Sequence, residues 1–266
     1  MRRALILLAS VGLTVALAAP VAAAGPTHTL YIALGDSLAW GDGASVPAHT
    51  GYVPRLAGYF QGASHGGADE LVNLAVRGDT TGDLIAGQLG QAVALIADTD
   101  TDTRVVTISI GGNDLLDLIN DPTDACLDPT RMGECQLLMG NALAGVAANM
   151  PVIMGTLQAA LAADPGDEKV FVLLPYGLGG AGLPIEAMID LGLRGAVPGA
   201  GCGDYGLDDI LACVTMATGG IVVDAYPLFA GRTLELTHMG EAFNVHPNDE
   251  GYEVIARAHR VADRNS

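Results

Sequence analysis

The sequence predicts an α/β fold: one doubly wound domain around a mainly parallel five-stranded sheet. Three observations carry that expectation. Five short apolar runs recur along the chain, they are nearly continuous rather than alternating, and longer segments of helical pattern separate them. Continuous apolar runs suit strands covered on both faces, and strand–helix alternation implies right-handed parallel crossovers. The strands are read at LYIAL (30–34), ELVNLA (70–75), RVVTISI (104–110), KVFVLLPY (169–176) and GIVVDAY (220–226). Helices are expected at Tyr52–Gln61, Thr81–Ala97, Gln136–Ala163 and Pro247–Ala262. Pro247 suits the first turn of the last helix, where its missing N–H costs nothing, and Pro151 is expected to kink or split the third. Two connections, Leu115–Cys135 and Gly177–Gly219, exceed the usual length and are expected to be functional or covering elements.

Residues 1–24 read as a signal peptide. Arg2 and Arg3 form a basic start, Ala4–Ala19 an apolar stretch, and Ala22-Ala23-Ala24 a cleavage site. The apolar stretch is short for a spanning helix, so no stable membrane anchor is expected and cleavage near Ala24 would send the chain to the extracellular space or periplasm. Removing 24 of the 266 residues leaves 242 (25–266), enough for a single domain with a proper core. The formal charge of −18 becomes −20 once the two leader arginines are lost, which argues against nucleic acid or an anionic membrane as a partner. A monomer is expected. Four cysteines in an exported chain read as two disulfides. Three connectivities are possible; the local pairs Cys126–Cys135 and Cys202–Cys213 are the expected ones, and C-x-x-C spacing for zinc is absent.

In an open α/β sheet, ligands bind beyond the carboxyl ends of the strands. Gly35-Asp36-Ser37 follows the first run, Asn73 to Thr80 completes the second, and Gly111-Gly112-Asn113-Asp114 follows the third. Phe243-Asn244-Val245-His246-Pro247-Asn248 precedes the last helix. Singly, each has an ordinary reading: Ser37 as a helix cap, the glycines as turns, Asn113 and Asp114 as Asx caps, His246 as an exposed helix-start residue. Together, a serine, a glycine turn, an asparagine and a histidine are the parts of an acyl-transfer site. Other histidines (His28, His49, His65, His238 and His259) have no such company and are expected on the surface or in loops.

The blocks GDSLAWG (35–41), NLAVRGDTT (73–81), GGND (111–114) and HPNDEGY (246–252) make the chain resemble the GDSL esterase/lipase family of the SGNH hydrolase superfamily. They stand in the family's order and span nearly all of the part after the leader. The resemblance implies a flavodoxin-like, three-layer fold and a serine esterase needing neither metal nor cofactor. A serine hydroxyl is a poor nucleophile until a base takes its proton, and His246 is the candidate base for Ser37. By similarity, the oxyanion would be held by the backbone N–H groups of Ser37 and Gly78 and the side-chain amide of Asn113. The family usually places an aspartate three residues before the histidine to orient it. Phe243 stands there, so the expectation is a Ser37–His246 dyad oriented by a backbone carbonyl or Asn244, with Glu241 as the other candidate.

The expected reaction is hydrolysis of a small-molecule or lipid ester with a short or longer acyl chain. Trp40, Tyr176 and the apolar residues of 177–198 are candidate walls of the acyl pocket. Two further readings stay open: a carbohydrate acetylesterase of the same superfamily, and a binding protein on an impaired esterase fold. Gly177–Gly182 fits G-x-G-x-x-G, but it follows the fourth strand and runs into Leu183-Pro184, which suits a pocket wall better than a dinucleotide site. The acidic run Asp98–Asp102 lacks the glycine and the bidentate glutamate of a calcium loop and reads as a solvated turn.

Overall fold

A computed structural model describes residue 26 and residues 28–118, 125–164, 166–179, 186–195, 206–242 and 244–266. The expected leader, 1–24, lies outside the described residues. Five parallel strands form one sheet in the order β2-β1-β3-β4-β5, the flavodoxin-like order with its switch point between β1 and β3. In chain order come β1 (His28–Gly35), α1 (Ser37–Trp40), α2 (Pro47–Thr50), α3 (Tyr52–Phe60), β2 (Glu70–Asn73), α4 (Thr81–Ala86) and α5 (Gln88–Ile96). Then follow β3 (Thr101–Ser109), α6 (Gly112–Leu116), α7 (Met132–Leu161), β4 (Lys169–Leu174), α8 (Glu186–Arg194) and α9 (Leu207–Ala217). The chain ends with β5 (Ile221–Asp224), α10 (Tyr226–Phe229), α11 (Thr233–Leu236), α12 (Met239–Ala242) and α13 (Asp249–Asn265).

Both faces of the sheet are covered, which is why the strand runs do not alternate. Leu30, Ile32 and Leu34 of β1 pack with Ile108 under α5 and α7. Their neighbours Tyr31 and Ala33 point the other way, into a core with α3 and α13. Three layers result, and the carboxyl ends of β1 and β3 open at one edge.

Several elements depart from expectation. The helix read at 81–97 breaks at Gly87. Gln88 turns inward there: its Oε1 accepts from the Gly35 N–H at 2.8 Å and its Nε2 donates to the Gly35 carbonyl at 2.7 Å. The long helix α7 is not split by Pro151. Pro151 lies on the exposed face, so the lost hydrogen bond is on the water side, while Met150, Ile153 and Met154 hold the buried face. Pro247 is not in the first turn of the last helix. It pairs with Thr237 in an antiparallel bridge, and Asn248 caps the helix through Glu250 and Gly251 N–H groups. The connection 177–219 contains α8 and α9 rather than loop alone. Asp102 is not in a solvated turn: it is buried in β3 and ion-paired with Arg104.

Cys126 and Cys135 are bridged, tying the segment before α7 to its first turn. Cys213 is also disulfide-bonded, while Cys202 lies outside the described residues. His259 is fully buried, stacked 5.2 Å from Tyr52, and burial pushes its pKa down to about 4. That corrects the surface placement read from the sequence.

Candidate active site

The turn that presents Ser37 is built from glycine and a buried aspartate. Gly35 ends β1 at φ +140, and an added Cβ would stand 2.1 Å from the Ser109 carbonyl oxygen of β3. Asp36 donates its N–H to that same oxygen at 3.0 Å and caps α1, its Oδ1 accepting from the Leu38 N–H at 3.0 Å. Burial raises the Asp36 carboxyl to about 7, helped by Asp114 and Asp79 nearby. Ser37 is thereby the first residue of a helix, where backbone N–H groups have no intrahelical acceptor.

His246 arrives from the far end of the chain and is fixed on several sides. Its main chain is held by the His238 N–H donating to its carbonyl at 3.0 Å and by the Thr237–Pro247 bridge. The Tyr176 hydroxyl donates to the Val245 carbonyl at 2.5 Å. His246 Nε2 lies 2.8 Å from Ser37 Oγ, and its Nδ1 lies 2.6 Å from Asn244 Oδ1. The same Asn244 oxygen accepts the His246 backbone N–H at 3.0 Å. The backbone N–H can only donate, so it fixes this atom as the amide oxygen. The ring proton then belongs on Nδ1, and the Nε2 lone pair faces Ser37. Of the two side-chain candidates for orienting the ring, Asn244 meets it; the Glu241 side chain and Phe243 lie outside the described residues. Burial lowers the His246 pKa; Arg77 and His238 act in the same direction and Asp42 opposes them.

Asn113 sits in the first turn of α6, reached through Gly111 at φ +102. Its Nδ2 donates to the Asp79 carbonyl at 2.9 Å, which uses one of its two hydrogens. Asp79 directly follows Gly78, whose φ of +84 is the left-handed region that favours glycine, with open space where a Cβ would be. Asp114 accepts from the Thr81 N–H and hydroxyl, so α6 and α4 are clamped beneath the site.

Ser37, Asn113 and His246 share the wall of one pocket of about 110 Å³. Its other walls are mostly apolar, among them Leu38, Leu115, Met139, Tyr176, Leu178 and Leu193. Tyr176 and part of 177–198 thus lie where the sequence reading puts them. Trp40 does not line this pocket: its ring is exposed and carries the Arg77 guanidinium 4.8 Å from its centroid. Residues 180–182 of the glycine run lie outside the described residues. Sequence reasoning missed Asp42, the residue just past GDSLAWG. Its Oδ2 is 3.9 Å from His246 Nε2 and accepts from Arg77 Nε at 2.6 Å. Among the described residues, Asp102, Asp164 and Glu168 are close enough to share a cation, but they lie at the opposite, amino-terminal end of β3 and β4.

A search of the curated proteins finds no significant match. Among solved structures, a lipase from a goat rumen metagenome is 21% identical, covering 88% of this chain and 96% of that one at a TM-score of 0.61. An extracellular lipase from Streptomyces rimosus is 21% identical, covering 88% and 99% at a TM-score of 0.58. An acetylxylan esterase from Geobacillus stearothermophilus is 19% identical, covering 90% and 95% at a TM-score of 0.58. Likeness at these identities speaks for the fold. The family rests on sequence: the model of the GDSL-like Lipase/Acylhydrolase family matches residues 33–254, from ahead of Ser37 to beyond His246, so the chain belongs to that family and is a carboxylic ester hydrolase.

Proposed function

We propose that the protein is an exported serine esterase acting on esters with apolar acyl groups longer than acetyl, through an acyl-enzyme on Ser37. Ser37 Oγ attacks the carbonyl carbon while His246 Nε2 takes its proton. The tetrahedral oxyanion is held by the N–H groups of Ser37 and Gly78 and by the remaining Asn113 amide hydrogen. Collapse breaks the C–O bond, and the departing alkoxide takes the proton from His246. Water then repeats the sequence, returning Ser37 and the free acid. Asn244 keeps the ring in the tautomer that can accept the proton. Export, with the leader removed near Ala24, is supported by the basic–apolar–small pattern of residues 1–24 and by the Cys126–Cys135 bridge, which suits an oxidising compartment.

The observation that carries the substrate class is the apolar pocket beside Ser37, whose walls offer an acyl chain contact and a sugar few partners. Hydrolysis of p-nitrophenyl esters from acetate to palmitate tests it. The expected kcat/KM rises from acetate to a maximum between butyrate and octanoate. Acetate as the best substrate, with acetylated xylo-oligosaccharides turned over faster still, would favour the carbohydrate esterase reading instead.

Asn113→Ala is expected to lower kcat by about two to three powers of ten, the usual cost of one oxyanion donor. The lost bond to Asp79 is a single side-chain contact, so Tm should move little. Parallel kinetics and melting curves check both halves.

A further inference from the structure

His246 has an orienting partner that carries no charge. Asn244 fixes the tautomer, yet an amide offsets little of the positive charge that the ring acquires on taking the Ser37 proton. Among the described residues, the charged and titratable groups that act on the ring are Asp42, Arg77 and His238. Asp42 is held in place by main-chain contacts: its N–H donates to the Ser37 carbonyl at 2.9 Å, and its carbonyl accepts the Tyr252 hydroxyl at 2.5 Å. The next residue, Gly43, has φ +85, and a Cβ there would stand 3.0 Å from His246 Cβ and 2.6 Å from the Pro247 carbonyl oxygen. The 41–43 turn is therefore pressed against the His246 loop. Asp42 Oδ2, largely shielded from solvent, lies 3.9 Å from Nε2. That separation is too long for a hydrogen bond, so Nε2 remains free for Ser37 Oγ, but it is short for an electrostatic contact.

We propose that Asp42 supplies, from the Nε2 side of the ring, the negative charge that Asn244 lacks, and that Arg77 limits this effect by holding the same carboxylate oxygen. Asp42 is then a positioning residue for the protonated form of His246, and Arg77 its counterweight, anchored over Trp40. The directions at His246 agree: Asp42 favours its charged form, and Arg77 opposes it. The inference rests on His246 being the general base for Ser37.

The test compares wild type, Asp42→Asn and Arg77→Gln by NMR titration of the His246 ring together with pH profiles of kcat and KM. An opposite charge within about 4–6 Å ordinarily shifts a pKa by one to three units, and Arg77 offsets part of that. Asp42→Asn should therefore lower the His246 pKa by roughly one unit, moving the acid limb of kcat to lower pH. The plateau kcat should fall roughly tenfold, as a weaker base takes the proton less readily, with KM little changed. Arg77→Gln should move the pKa and the acid limb upward. A merely structural role for the 41–43 turn would lower kcat and Tm in both variants without opposite titration shifts. An unmoved His246 pKa, or shifts of the same sign in both variants, overturns the proposal. Because NMR reads the ring directly, failure of the site itself would look different: Ser37→Ala would keep its activity whatever the titrations gave.

Discussion

Ser37→Ala is expected to lower kcat for ester hydrolysis by about four to six powers of ten while leaving Tm unchanged. The size follows from the loss of the covalent route: without Oγ no acyl-enzyme forms, and the oxyanion donors are left acting on unactivated water. The unchanged Tm follows from the environment of the hydroxyl. Ser37 is half-buried, and the bond it would lose, to His246 Nε2, leaves no charged group stranded. His246→Ala should cost a similar factor, and the double variant little more, because the two act as one unit. Steady-state rates on p-nitrophenyl butyrate, read beside melting curves, check the size and the non-additivity.

The largest expected effect on stability is at Gly35. Gly35→Ala would put a methyl 2.1 Å from the Ser109 carbonyl oxygen, at a φ of +140 that L side chains rarely adopt. That oxygen already accepts the Asp36 N–H, and the Gly35 peptide is bracketed by the Gln88 amide, so neither strand end can yield without breaking other bonds. Backbone strain and overpacking of about 1–3 kcal/mol each put the loss at roughly 2–6 kcal/mol. Tm should fall by about 10 °C for a domain of this size. Thermal unfolding measures this directly. Activity should fall with it, since Asp36 and Ser37 ride on the same turn.

How much of this was legible in the sequence depends on how local each feature is. The three central strands, β1, β3 and β4, could be read because both of their faces are buried, which turns a spatial fact into an unbroken apolar run. The four blocks could be read because each follows a strand or precedes a helix, where backbone geometry restricts residue choice. Helix α9 was missed although Leu207, Ile210, Leu211 and Thr215 carry the buried helical period; the glycine-rich stretch before it masked the signal. The break at Gly87 depends on Gln88 reaching β1, a pairing 53 residues apart that no local pattern encodes. Trp40 was misplaced for the same reason: its ring packs against Arg77, a partner distant in sequence, and not on the pocket wall. Asp42 is adjacent to the first block, but its approach to His246 spans almost the whole chain. Asn244 was the tractable case. It lies two residues from His246, and an oxygen at that spacing can reach both the ring and the backbone N–H.

The intact mass of the protein after exposure to a fluorophosphonate, followed by peptide mapping, tests directly whether Ser37 is an activated nucleophile. An activated serine displaces fluoride and keeps the phosphonyl group; an unactivated one does not react. One adduct per chain is expected, carried by the peptide containing Ser37, and no adduct in Ser37→Ala. An unlabelled wild-type protein with a normal melting curve, or an adduct retained in Ser37→Ala, would rule out Ser37 as the nucleophile.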